Sequence, residues 1–182
     1  MNLTIVNELI EKQDGDFSMF YPKLKHRLHI YKDEEKYLTI KKHMLKNDIR
    51  QEVVDIGCQH GFQSEIFLDA ISYTGIDCSV SSHFFNQEKE NIHYILGTFP
   101  DVDIDLKGKT VISSMSLGIF DGFVDDDKEV SRKRVIDALS SAKTVYIASE
   151  EDFVEQLSKR FSSKEMLLES NLKNYNLYVL RN

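Results

Sequence analysis

The sequence has little of what a secreted or membrane-bound chain would need. Its 182 residues include only two cysteines, Cys58 and Cys78, too few for a disulfide framework and suited to a reducing compartment. No run approaches the ~18 consecutive apolar residues of a spanning helix, so no membrane segment is expected. The start, "MNLTIVNELIEKQ", mixes acids with apolar residues and lacks both a basic n-region and an apolar h-region, so it does not read as a secretory signal and the expected location is cytoplasmic. Internal repeats, low-complexity tracts and Gly/Ser-rich linkers are missing. The two prolines, Pro22 and Pro100, both fall where the apolar pattern breaks. The length is that of one domain.

What is present in quantity is charge, unevenly spread. The net charge is −7, with 41% hydrophobic and 29% charged residues. Residues 1–19 carry −3, residues 20–50 carry +5 and residues 51–182 carry −9. The basic segment also holds His26, His29, His43, Tyr21, Tyr31 and Tyr37. Such a segment can attract an anionic substrate or a nucleic acid. Because Asp33, Glu34, Glu35 and Asp48 are interleaved with its cations, it reads equally as a solvated helical face.

From Val53 onward, short β-branched runs alternate with helix-period segments, the pattern of an α/β fold with a mostly parallel, doubly wound sheet. Strands are expected at Val53–Gly57, Tyr73–Asp77, Ile92–Leu96, Thr110–Ser114 and Lys143–Ser149. Helices are expected at Phe62–Ile71, Ser79–Lys89, Asp126–Ala142 and Glu151–Phe161. In the first helix Phe62, Ile66, Phe67, Ala70 and Ile71 would share a sheet-facing side, and Asp126 with Glu129 resembles a capping box. "KEMLLES" and "YNLYVLR", joined by the polar "NLKN", read as an antiparallel hairpin on the sheet's edge. The first fifty residues have helical spacing and precede the first strand. They are expected to form a helical cap over residues 1–50, an appendage to a core spanning 51–182 within the same domain.

The chemistry concentrates in "VVDIGCQHGFQSEIF", a strand running into a turn bounded by Gly57 and Gly61. At the carboxyl end of a strand in an open α/β sheet, such a turn leaves a crevice free of side chains and aims amide groups outward. Asp77 closes the next strand 22 residues after Asp55, near the offset at which an acid can bond ribose hydroxyls. Strand, turn, helix, strand and terminal acid in that order point to a ligand containing a nucleoside. A nicotinamide dehydrogenase is disfavoured because positions 57, 59 and 62 are Gly, Gln and Phe, not the Gly-x-Gly-x-x-Gly spacing. A metal site from Cys58, His60, Cys78 and His83 finds no Cys-x-x-Cys or His-x-x-x-His support, so no metal is expected. "DVDIDLKG" lacks the glycine and terminal glutamate spacing of a calcium loop.

On "VVDIGCQHG" and "YTGIDCS", and on the hairpin after the fifth strand, residues 50–182 resemble the class I (Rossmann-like) S-adenosylmethionine-dependent methyltransferases. Gln59 stands where that family has its middle glycine. The resemblance implies S-adenosylmethionine as cofactor, with Gly57 and Cys58 along its methionine part and Asp55 holding its amino group. It implies Gly61 at the helix start, Asp77 on the ribose hydroxyls and Cys78 beside the adenine. Thr98 and Phe99 match the positions that meet the adenine amino group, and Ser113 and Ser114 match the floor under the sulfonium.

No catalytic residue is assigned. A base, if the acceptor needs one, could come from His60 or His83, each equally readable as an exposed histidine. At the fourth strand "SSMS" replaces the Asn/Asp-Pro-Pro-Tyr of amino-methylating nucleic-acid enzymes, and no Pro-Cys pair serves cytosine-C5 chemistry. The expected acceptor is therefore a small molecule held between sheet edge and cap, with Tyr21, His26, Tyr31 and Tyr37 as candidate lining. An RNA acceptor and a non-catalytic binding module of the same fold remain the alternatives.

Overall fold

The structure, a computed structural model, describes residues 28–47, 51–58, 61–78, 90–117, 127–170 and 175–182, excluding the side chains of residues 28–34, Phe62 and Glu65. Within them α1 (Leu28–Lys46) precedes β1 (Glu52–Ile56), a 3-10 helix (Phe62–Phe67), β2 (Ser72–Asp77), β3 (Ile92–Leu96) and β4 (Thr110–Ser114). There follow α2 (Lys128–Leu139), β5 (Thr144–Ala148), α3 (Glu151–Ser158), β6 (Ser163–Leu168) and β7 (Leu177–Arg181). The strands form one sheet in the order β3-β2-β1-β4-β5-β7-β6. β1 to β5 are parallel, whereas β7 runs antiparallel between β5 and β6. The expected alternating sheet and terminal hairpin are both present. The expected helix at Ser79–Lys89 lies outside the described residues.

Strand periodicity of two sorts the core into two layers. Val54, Ile56, Ile76, Val111, Val145, Ile147 and Leu180 face α2 and α3, meeting Val135, Ile136, Leu139, Phe153, Val154 and Leu157. Val53, Tyr73, Ile112, Tyr146, Ala148 and Val179 face the other way, onto Tyr37, Ile40 and Met44 of α1 and Ile66 and Phe67 of the 3-10 helix. Over Tyr37–Met44, then, the expected appendage is a covering layer of the sheet. Even two of its lysines, Lys36 and Lys41, are 3% exposed. Lys41 pairs with Asp69, and burial pulls its ammonium below the usual lysine range against the pull of that carboxylate.

Two helix expectations change. The run expected as an α-helix over Phe62–Ile71 is a six-residue 3-10 helix, entered from a left-handed Gly61 (φ 66°) that offers no side-chain cap. Bonds of the i to i−3 kind close it, Ser64 N–H to Gly61 C=O and Ala70 N–H to Phe67 C=O, and Ile71 N–H goes instead to Gln51 C=O. The chain thus turns early into β2, and Ile71 is exposed. The cap of α2 is Asp127, not Asp126: its carboxylate accepts from the Glu129 and Val130 N–H groups.

α1 runs opposite to the parallel strands. Lys36 Nζ lies 3.3 Å from Met115 Sδ just past β4, and one helical stretch later His43 Nδ1 is 2.8 Å from the Tyr146 hydroxyl. Tyr146 pairs with Ile112, three residues before Met115. At ~1.5 Å per residue, the eight helical residues before Lys36 carry α1 about 12 Å further toward the sheet's carboxyl side.

Candidate functional site

The site is built where β1, β2 and β4 end. Beyond Ile56 the chain enters the left-handed region at Gly57 (φ 77°), and the N–H groups of Gly57 and Cys58 both reach Ile76 C=O of β2, at 2.8 and 3.1 Å. A Cβ at Gly57 would lie 2.2 Å from Ser116 Cβ. The space freed by this glycine is therefore filled by Ser116 of the chain itself, on the side where a side chain would stand. Ser116 Oγ donates to Ile56 C=O at 2.6 Å and lies 2.7 Å from Ser113 Oγ, which accepts from Leu117 N–H at 3.3 Å. Met115, itself at φ 55°, donates its N–H to Ala148 C=O of β5 at 2.8 Å. Four strand ends, those of β1, β2, β4 and β5, are thereby tied into one rim. Gln59 and His60 lie outside the described residues, as does His83.

Below the turn sits Asp55, fully buried on the α1 side of the sheet. Its Oδ1 accepts from the Tyr37 hydroxyl at 2.9 Å, with that hydroxyl 3.2 Å from Oδ2. Oδ2 also accepts from the Tyr73 hydroxyl at 2.6 Å and from Gln63 Nε2 at 2.9 Å. A buried carboxylate needs donors of this kind, since leaving it uncompensated would cost several kcal/mol. Burial, with the Asp55 charge second, pushes the Tyr73 hydroxyl well above its ordinary range, so Tyr73 stays a donor. Gln63 Nε2 donates further to Cys58 C=O at 2.8 Å and lies 3.4 Å from the Tyr37 oxygen, joining turn, carboxylate and α1.

Asp77 ends β2 on the same side as Asp55. Asp55 is paired with Gly75, and Asp77 lies two residues further along. Two rises of ~3.3 Å and one strand spacing of ~4.8 Å put the two Cα atoms about 8 Å apart. Asp77 is 9% exposed and its carbonyl accepts from Gly97 N–H at 3.0 Å. Cys78 beside it is exposed, whereas Cys58 is buried with Sγ over Gly75, where an added Cβ would be 2.8 Å from it. Burial, then the charges of Asp55 and Asp77, raise the Cys58 thiol far above its ordinary value, so it is no nucleophile.

The remaining expected residues divide. Thr98 is half-buried beyond β3, but Phe99 packs into the α2/α3 core layer with Ile56 and Ile76, its ring committed to packing. Ser114 is buried at the end of β4, while the Ser113 hydroxyl serves the rim described above. Of the expected acceptor lining, Tyr21 and His26 lie outside the described residues, and only the backbone of Tyr31 is described, in α1. Tyr37 is buried and spends its hydroxyl on Asp55. Gln63, Tyr73 and Ser116 went unremarked in the sequence as site residues. Tyr73 had a signal, since counting back by twos from Asp77 puts it on the same side of β2. Gln63 and Ser116 had none.

No family model matches the sequence, and no curated protein matches it. Solved structures match the fold. The methyltransferase domain of bacterial CtHen1 superposes with a TM-score of 0.60 at 12% identity, over 82% of this chain and 99% of that one. The N-methyltransferase NodS from Bradyrhizobium japonicum WM9 gives 0.59 at 11% identity, over 82% and 96%. WbdD, co-crystallised with a kinase inhibitor, gives 0.61 at 16% identity over 97% of this chain and 47% of its own. With its seven-stranded sheet and antiparallel β7, the chain has by these likenesses the fold of the class I S-adenosylmethionine-dependent methyltransferases.

Proposed function

We propose that the protein is an S-adenosylmethionine-dependent methyltransferase acting on a small molecule. The observation that carries this reading is the pair of carboxylates, Asp55 and Asp77, on one side of neighbouring strand ends that flank a left-handed glycine turn. With Cα atoms about 8 Å apart, the two residues are placed to meet a ligand with a sugar at one end and an ammonium group at the other. Asp77, at the rim, would accept from the ribose hydroxyls, and Asp55, deeper, would face the ammonium end. Gly57 restricts the fit, because Ser116 already fills the volume beside it. The amino-acid tail would accordingly run along Cys58 to Gly61.

When bound, the sulfonium supplies an activated methyl group, so the chain's contribution is mainly to bind and orient. The extension of α1 beyond the strand ends offers a wall against which an acceptor can be held. A nucleic-acid acceptor is less well supported than the basic 20–50 segment suggested. Lys36 and Lys41 point into the protein, which removes two cations from any phosphate-facing surface.

Calorimetry with S-adenosylmethionine and S-adenosylhomocysteine tests the binding, and methyl transfer to a small-molecule panel against total RNA tests the rest. Binding of both compounds with transfer to a small molecule is the expected result. Failure of both to bind overturns the cofactor assignment, and transfer to RNA alone overturns the acceptor class.

A further inference from the structure

Resting on that reading, we infer that Gln63 is a specificity-determining residue: its carboxamide nitrogen holds the position of the ligand's ammonium group and must be displaced by it. Three acceptors converge on Gln63 Nε2: Asp55 Oδ2 at 2.9 Å, Cys58 C=O at 2.8 Å and the Tyr37 oxygen at 3.4 Å. The amide orientation follows from the chemistry, because a carboxylate and a carbonyl can only accept, so the NH2 end must face them. An amide nitrogen has two hydrogens for these three acceptors. A primary ammonium has three, and it brings a full positive charge to a fully buried carboxylate.

The exchange favours the cation. The amide gives the Asp55 carboxylate a charge-assisted bond from a neutral donor, and the ammonium replaces it with one that adds the attraction of opposite charges. Gln63 is also placed to leave: it is half-buried, at the second position of the 3-10 helix, whereas Asp55 and Cys58 are fully enclosed. Tyr37 completes the nest from α1, so the N-terminal helix acts here as a positioning element, its hydroxyl orienting Asp55 while lending its oxygen as third acceptor. Gln63 then sets how much a ligand gains from carrying an ammonium group. A ligand without one leaves the amide in place.

The test compares Kd for S-adenosylhomocysteine, which has the ammonium group, with Kd for 5′-methylthioadenosine, which lacks the amino-acid end, in wild type, Gln63→Ala and Tyr37→Phe. Removing the internal competitor should raise the preference for S-adenosylhomocysteine by roughly tenfold, the lower end of what one amide bond to a charged group is worth when it no longer has to be broken. Tyr37→Phe should lower that preference several-fold, and 5′-methylthioadenosine should bind all three proteins alike. General damage to the turn would weaken both ligands together and leave the ratio unmoved. An unmoved or lowered ratio in Gln63→Ala overturns the inference while the cofactor assignment stands. A wild type that binds neither compound overturns both. If Tyr37→Phe fails to fold, as melting would show, Gln63→Ala decides alone.

Discussion

The two sides of the sheet are built on different principles. The α2/α3 side is mainly aliphatic, with Val54, Val111, Val145, Ile147 and Leu157 in one layer beside the rings of Phe99 and Phe153, and the hydroxyl of its Tyr178 donates outward to Glu151. The α1 side is aromatic and polar at its carboxyl end, where Tyr37 and Tyr73 meet Asp55 and the rings of Phe67 and Tyr73 stack with centroids 5.8 Å apart. A hydroxylated ring can pack and donate at once, so this side buries a carboxylate without opening the core. Substitutions on the first side are therefore expected to act on stability, and those at the carboxyl end of the second on ligand binding.

Substitutions that separate the two properties test that division. The largest effect is expected from Leu157→Ala in α3, a fully buried side chain whose loss should cost about 2–5 kcal/mol in chemical denaturation. The affinity of the remaining folded protein for S-adenosylhomocysteine should not change, and a parallel loss of affinity would break the division. Asp77→Ala should do the reverse. Cofactor affinity should fall by about 1.5–3 kcal/mol, the range for bonds to a charged group, with the melting temperature nearly unmoved. Unchanged affinity would remove the ribose contact from the account.

The smallest effect concerns His43, at the far end of α1. Its Nε2 lies 2.7 Å from Arg181 Nη2, a permanent donor, so Nε2 accepts and Nδ1–H points to the Tyr146 hydroxyl. Burial first, then the Arg181 charge, lowers its pKa below the ordinary 6.5, with Glu165 partly opposing. The unfolded chain therefore takes up the proton first. The contribution to stability is complete above about pH 6.5 and declines as pH falls through the folded value. His43→Asn should flatten denaturation midpoints across that acid window, and an equally steep decline in the variant would refute the assignment.

The sheet was legible because its strands are short and its central ones, β1, β4 and β5, are β-branched and buried nearly throughout. Ile92–Leu96 and Thr110–Ser114 fall where the pattern placed them, the other three parallel strands shift by one residue at their ends, and the two hairpin strands by up to two. The 62–71 helix was misread because apolar spacing does not report where the chain must leave for the next strand. Ile71 N–H had a partner in Gln51, outside any local window. The same limit governs the site. Gly57 announced that a side chain was not tolerated, but what excludes it, Ser116, stands 59 residues away. Asp55 was visible by position, whereas its Tyr37 donor depends on the direction of α1, which only packing decides.

That direction bears on how the chain's first fifty residues can change. Over Tyr37–Met44 they cover part of one face of the sheet, and Tyr73 and Tyr146 lie in the same buried layer. A recombination event that exchanged this stretch like a detachable lid would uncover stacked rings and a buried acid together. Its first cost would be insolubility, felt well before any new preference among acceptors could be selected.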